Sequence, residues 1–141
     1  MKSSRTHKLQ LKTVDQVGIM VKDIDKVMEI WTRLFGFGPW STREIDAMDD
    51  KIYPRRVKLA FTDVGQVEIE LLQPIEDNLK QDWLDTHGEG IHHLAFRVDD
   101  LAKEVSSLEA QGIHPYMYYP GRFALLESGW PGGIIFELIQ R

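Results

Sequence analysis

The chain has 141 residues, no cysteine, 43% hydrophobic and 28% charged residues, and a formal net charge of −5 at pH 7. That length suits one domain, or two small modules sharing one core. Without cysteine there is no disulfide and no thiolate metal site, so any metal must be held by His, Asp, Glu, Gln or backbone oxygen. An acidic balance with no block of like charge argues against a nucleic-acid or membrane-surface role. No apolar run approaches the roughly 20 residues of a membrane-spanning helix. The basic start, Lys2, Arg5, Lys8 and Lys12, leads into no apolar segment, so a secretory signal is not expected and the cytoplasm is the expected compartment.

Residues 1–13 read as a flexible lead-in. A strand is expected over Gln16–Val21, with Val17, Ile19 and Val21 on one face and Gln16, Gly18 and Met20 on the other. Asp23 or Asp25 can cap the helix that follows, whose apolar stripe is Val27, Ile30, Trp31 and Leu34. Gly36, Gly38 and Pro39 end it. A second strand is expected over Trp40–Ile45, a polar loop with Asp49 and Asp50 over Asp46–Pro54, and a third strand over Val57–Thr62. Asp63, Val64 and Gly65 turn the chain into a fourth strand, Val67–Leu72, ending at Pro74. Residues 76–89 form a linker with a helix around Leu79–Leu84.

The second half repeats the programme. A strand over His92–Val98 leads to a helix over Leu101–Gln111, then to strands near Tyr116–Tyr119, Arg122–Leu126 and Ile134–Ile139. At an offset of 77 residues Gln16 falls on His93, Ile19 on Phe96, Val21 on Val98, Asp23 on Asp100 and Lys26 on Lys103. The last strands align at an offset of 67, with Gly65 on Gly132, Glu70 on Glu137 and Gln73 on Gln140. The expected fold is therefore α+β, two tandem βαβββ modules over residues 14–75 and 90–141.

Strand alternation then assigns faces. Gln16, Glu70, His93 and Glu137 come from equivalent strands of the two modules and lie on the face away from the helices. Glu68 shares the face of Glu70, whereas His92 lies on the opposite face from His93 and reads as a packing or hydrogen-bonding residue. If the modules pair side by side, their sheet curls into a trough with those four groups on its floor. Two carboxylates, an imidazole and an amide oxygen form a mixed N/O set suited to a divalent ion such as Zn, Co, Ni, Mn or Fe(II). Burying Glu70 or Glu137 unpaired is costly, so each needs either a metal or an Arg/Lys partner. With four protein ligands an octahedral ion keeps two adjacent positions for a chelating substrate.

The segments VGIMVKDIDK, VEIELLQP, GEGIHHLAFRVDDL and GGIIFELIQ, in this order, resemble the vicinal oxygen chelate superfamily over about residues 14–141, in its glyoxalase and methylmalonyl-CoA epimerase-like branch. The resemblance implies the glyoxalase/bleomycin-resistance/dioxygenase fold, one domain overall, with metal ligands Gln16, Glu70, His93 and Glu137. A Gln-Glu-His-Glu set resembles that of eukaryotic glyoxalase I. Gln16 stands where epimerases usually begin with His, and it departs from the two-His, one-Glu set of extradiol dioxygenases. Met20 and Glu89 stand where glutathione-dependent glyoxalases carry arginines.

The activity implied is a metal-dependent isomerase or lyase that shifts a proton next to a carbonyl, on a small carbonyl compound or CoA thioester. Glu137 is the expected proton-moving carboxylate, with Glu68 as a second candidate and Lys58 as the third-strand alternative. Arg122 is a candidate for meeting an anionic group, and Tyr118 and Trp130 for lining the trough mouth. A homodimer is the expected assembly. The alternative is a non-catalytic small-molecule binding protein of the resistance type, whose members commonly lack the ligand set.

Overall fold

A computed structural model describes residues 9–45, 56–75, 79–126 and 134–140. Eight strands and three helices follow in the order β1 (Val14–Met20), α1 (Ile24–Phe35), β2 (Ser41–Ile45), β3 (Val57–Val64), β4 (Val67–Pro74), α2 (Leu79–His87), β5 (Gly90–Val98), α3 (Leu101–Ala110), β6 (Pro115–Tyr119), β7 (Phe123–Leu126) and β8 (Ile135–Gln140). Each strand ends within two residues of its expected span. The turn after β3 is the main local difference. Asp63 and Val64 stay in the strand because Val64 pairs with Val67, which leaves Gly65 and Gln66 as a two-residue hairpin turn. The polar loop with Asp49 and Asp50 lies outside the described residues.

Gln16–His93 makes one compact unit, and the described residues of Met1–Asp15 and Leu94–Arg141 make the other. In the first, the strand order is β2-β3-β4-β1. β1 runs parallel to β4, setting Gln16 opposite Glu68, Gly18 opposite Glu70 and Met20 opposite Leu72. β3 runs antiparallel to β4, setting Phe61 opposite Glu70 and Leu59 opposite Leu72. Because side chains alternate, the two faces carry different cores. On one, α1 packs Ile24 against Val21, Ala60 and Leu71. On the other, Leu84 of α2 covers Met20, Val57, Leu59 and Leu72. In the second unit β6, β7 and β8 are antiparallel neighbours, and α3 packs Leu101, Val105 and Leu108 against Ala124, Leu126 and Leu138.

The two long helices start in the same way. The Asp23 side chain accepts from the Lys26 amide at 3.2 Å, and the Asp100 side chain from the Lys103 amide at 3.1 Å. A second acceptor reaches each helix from the last strand of its module. Gln73 Oε1 accepts from the Ile24 amide and Gln140 Oε1 from the Leu101 amide, both at 2.8 Å. Amides of the first helical turn have no partner within the helix, so these side chains satisfy groups that would otherwise need water. Among the described residues no helix is long and apolar enough to cross a membrane.

Candidate metal centre

Three buried polar side chains, Gln16, Glu70 and His93, gather on the face of the first unit that α1 does not cover, and the buried His92 ring meets that of His93. Gln16, Glu70, His92 and His93 are each no more than 7% exposed. His93 is the hub. Its Nε2 lies 2.8 Å from Gln16 Oε1 and 3.2 Å from Glu70 Oε1. Its Nδ1 lies 2.8 Å from Nδ1 of His92. Each group arrives there by strand geometry. Parallel pairing of β1 with β4 puts Gly18 beside Glu70, and the missing side chain leaves room for the imidazole. A Cβ on Gly18 would stand 2.0 Å from His93 Cε1.

The Gln16 amide has a fixed orientation. Its Nε2 donates to Glu68 Oε1 at 2.7 Å, which turns Oε1 toward His93. Glu68 therefore serves as an orienting acceptor for Gln16. Among the described residues His93 is the ion-pair partner of Glu70, whose strand partners Gly18 and Phe61 carry no charge.

The donor atoms fit a divalent ion. For metal–ligand bonds of about 2.0–2.2 Å, adjacent ligands of an octahedral ion stand roughly 3.0 Å apart. The separations of 2.8 Å and 3.2 Å from His93 Nε2 to the two oxygens bracket that value. One imidazole nitrogen, one carboxylate oxygen and one amide oxygen are the donor types such an ion takes. Among the described residues no three His, Asp or Glu side chains cluster at metal spacing, so the amide of Gln16 is what makes the set a triad.

Glu137 belongs to the second unit, half-buried on β8 opposite Leu125. Tyr116 is next to it electrostatically. Packing around the phenol and the negative charge of Glu137 push its pKa up to about 12. The residue as a whole keeps 49% of its surface, while burial around the phenol is the larger cause of the shift. Tyr118 is partly buried and packs against the α3-side core beside Ala124, its partner on β7. Arg122 is exposed in the β6–β7 turn, its guanidinium 5.8 Å above the Tyr119 ring. Trp130 lies outside the described residues.

Lys58 points to the α1 side of β3, 3.4 Å from Asp25. There it lines an open pocket of about 290 Å³ with Ile24, Met28 and Thr42, on the opposite face from the triad. Arg97 pairs with Asp15 at 3.4 Å as a support within its own unit. Glu89 accepts from the Lys22 amide at 2.8 Å. Sequence reasoning missed the close approach at Gly18, the orienting role of Glu68, and the α2 aromatic Trp83, whose ring meets His92 edge-on at 5.0 Å. A glycine inside an apolar strand was the available signal for the first, since it marks places where another group comes close.

The family described as Glyoxalase/Bleomycin resistance protein/Dioxygenase superfamily matches residues 15–124. The chain belongs to this superfamily. Among solved structures, methylmalonyl-CoA epimerase from Mycobacterium tuberculosis is similar, with 25% identity and a TM-score of 0.75 over 96% of this chain and 94% of that one. Methylmalonyl-CoA epimerase from Streptomyces coelicolor, in complex with 2-nitronate-propionyl-CoA, shares 24% identity and a TM-score of 0.76 over 93% and 95% of the two chains. An uncharacterised protein of Bacillus subtilis (strain 168), YqjC, is 22% identical over 137 residues, covering 92% of this chain and 93% of the relative. As a superfamily member the chain has the expected α+β fold, with mixed parallel and antiparallel strand pairing.

Proposed function

We propose that this superfamily member is a metal-dependent isomerase or lyase that moves a proton on the carbon next to a carbonyl, with a CoA thioester or a small carbonyl compound as substrate. The observation that carries the proposal is the convergence of Gln16 Oε1 and Glu70 Oε1 on His93 Nε2 at ion-binding separations in a buried polar cluster. A divalent ion held there supplies Lewis-acid stabilisation of negative charge on a carbonyl oxygen. Glu70 contributes the charge, His93 the nitrogen donor, and Glu68 keeps the Gln16 carbonyl turned inward. The buried apolar residues Met20, Leu59 and Leu72 share the triad's face, and low-dielectric surroundings of that kind strengthen charge interactions.

Glu137 enters this proposal by sequence resemblance, as fourth ligand and as the carboxylate that takes the proton from the carbon and returns it. Similarity to epimerases that act on or bind acyl-CoA compounds supports the thioester class. The experiment begins with metal analysis of the untreated protein and titration with Zn, Co, Ni, Mn and Fe(II). A protein without transition metal and without affinity for any would sink the reading. With metal bound, solvent deuterium exchange into 2-methyl-branched CoA thioesters selects the epimerase-like activity, and exchange into hemithioacetals the glyoxalase-like one. Metal binding with exchange into neither would favour a non-catalytic binding protein.

A further inference from the structure

We propose that His92, held by Trp83 of α2, is the positioning residue of the centre and sets the rotation of the His93 ring. The inference rests on the metal-centre reading above and adds a residue that the ligand set does not contain. An imidazole ligand must aim one nitrogen lone pair at the ion, and rotation about its own side-chain bond spoils that aim. In metal sites the other ring nitrogen is almost always tied to a partner that stops the rotation, usually a carboxylate or a carbonyl. Here the partner at 2.8 Å is Nδ1 of His92. The two rings are nearly perpendicular, at 87°, with centroids 5.1 Å apart. Adjacent strand residues normally face opposite sides of a sheet, so this bond needs both rings turned toward each other.

A bond between two Nδ1 atoms contains a single hydrogen. When His93 Nε2 gives its lone pair to an ion, that hydrogen sits on His93 Nδ1 and His92 accepts it. His92 thereby holds the His93 ring in the rotation that turns Nε2 toward Gln16 and Glu70. His92 in turn is 3% exposed and packs against the Trp83 ring at 5.0 Å and 72°. Trp83 stacks on His87 at 4.4 Å, and His87 Nδ1 lies 3.0 Å from the Trp83 carbonyl oxygen. The Trp83 indole nitrogen is buried without a hydrogen-bond partner among the described residues. An unmade bond of that kind is unfavourable, so the position of this ring is fixed by what it packs on. The segment that reads as a linker is, on this account, the back wall of the centre.

The test is isothermal titration of the purified full chain with Co(II), alongside the visible spectrum of the cobalt complex and thermal unfolding without metal. His92→Phe keeps a ring and loses the bond. His92→Asn places an amide atom where Nδ1 was. Trp83→Leu leaves both imidazoles in place. The expected result is a loss of about 10- to 100-fold in affinity for His92→Phe with an altered cobalt spectrum, recovery of most of that loss in His92→Asn, and a smaller loss in Trp83→Leu. A His92→Phe protein with parental affinity and spectrum would overturn the positioning role and leave the metal centre standing. Parental protein with no cobalt affinity would overturn both. Should His92→Phe not fold, Trp83→Leu decides: a weakened affinity with an altered cobalt spectrum supports the positioning role, and an affinity and spectrum equal to the parent's overturn it.

Discussion

Substituting Gly18 with alanine adds one methyl group at the most crowded point of the centre. Its Cβ would fall 2.0 Å from His93 Cε1 and 2.4 Å from each ring nitrogen. Carbon atoms rest about 3.5 Å apart, so the imidazole or strand β1 must give way by roughly 1.5 Å. His93 has no slack to do so, being 4% exposed and held at 2.8 Å by both His92 and Gln16. A displacement of that size takes both bonds past the useful range. Two buried hydrogen bonds at about 1 kcal/mol each, with overpacking of about 1–3 kcal/mol, sum to roughly 3–5 kcal/mol of lost stability. At about 3–5 °C per kcal/mol for a domain of this size, the unfolding midpoint drops by roughly 10–20 °C. Cobalt affinity measured by calorimetry falls about 100-fold, because a ligand ring has left its aim. The control is Gly65→Ala, where φ is +63° and nothing stands within 4 Å of the added Cβ. It costs only the left-handed backbone conformation, about 1–2 kcal/mol, and leaves ion binding alone. If Gly18→Ala melted and bound cobalt like the parent, the placement of His93 over β1 would be wrong.

Glu68→Ala frees the Gln16 amide to rotate, and ion affinity is expected to weaken about 10-fold while Glu68→Gln, which keeps an acceptor, loses less; calorimetric titration decides between them. Lys58→Met removes only a partly exposed pair with Asp25, so stability changes by under about 1 kcal/mol and both ion binding and deuterium exchange persist. A loss of exchange would support Lys58 as an acid/base group. The Tyr116 phenol, raised to about 12 by packing and by Glu137, keeps its proton in the fold while an unfolded tyrosine loses it near 10. Its contribution to stability is therefore complete below pH 10 and is lost as pH rises toward 12. Ultraviolet titration of the parent against Tyr116→Phe should show this phenol ionising last, and Glu137→Gln should lower its pKa; ionisation of Tyr116 near 10 would contradict the environment described.

How much of this was legible depends on the distance over which each signal acts. Alternation along Val17, Ile19 and Val21, and the helical spacing of Val27 and Trp31, are local, and they located β1 and α1 without knowledge of neighbours. Leu34, expected on the same packing stripe, is 58% exposed, because the sheet's cover ends short of the last turn of α1. The repeat of Asp23 by Asp100 marked both helix starts. Face assignment by period two likewise separates Gln16 and Glu70 from the residues under α1. What the sequence does not carry is which strands become neighbours. The pairing of Gln16 with Glu68 spans 52 residues, and it depends on parallel pairing of β1 with β4, which no local pattern encodes. The same holds for Trp83 against His92, since α2 has a weak apolar stripe and reads as a connector. Lys58 could be placed on a strand but not beside Asp25, because the meeting of β3 with α1 is a tertiary event.

The glutamine acceptors at the two helix starts also make natural reporters of opening. An amide in the first turn of a helix exchanges its hydrogen quickly when only water covers it. Those of Ile24 and Leu101 are bound instead by Gln73 and Gln140, which lie 49 and 39 residues further along the chain. Their exchange with deuterated solvent thus waits until β4 or β8 peels from its helix. Two peaks in a hydrogen-exchange spectrum would time the loosening of each half separately, one clock per module, set by the same residue type in the same place.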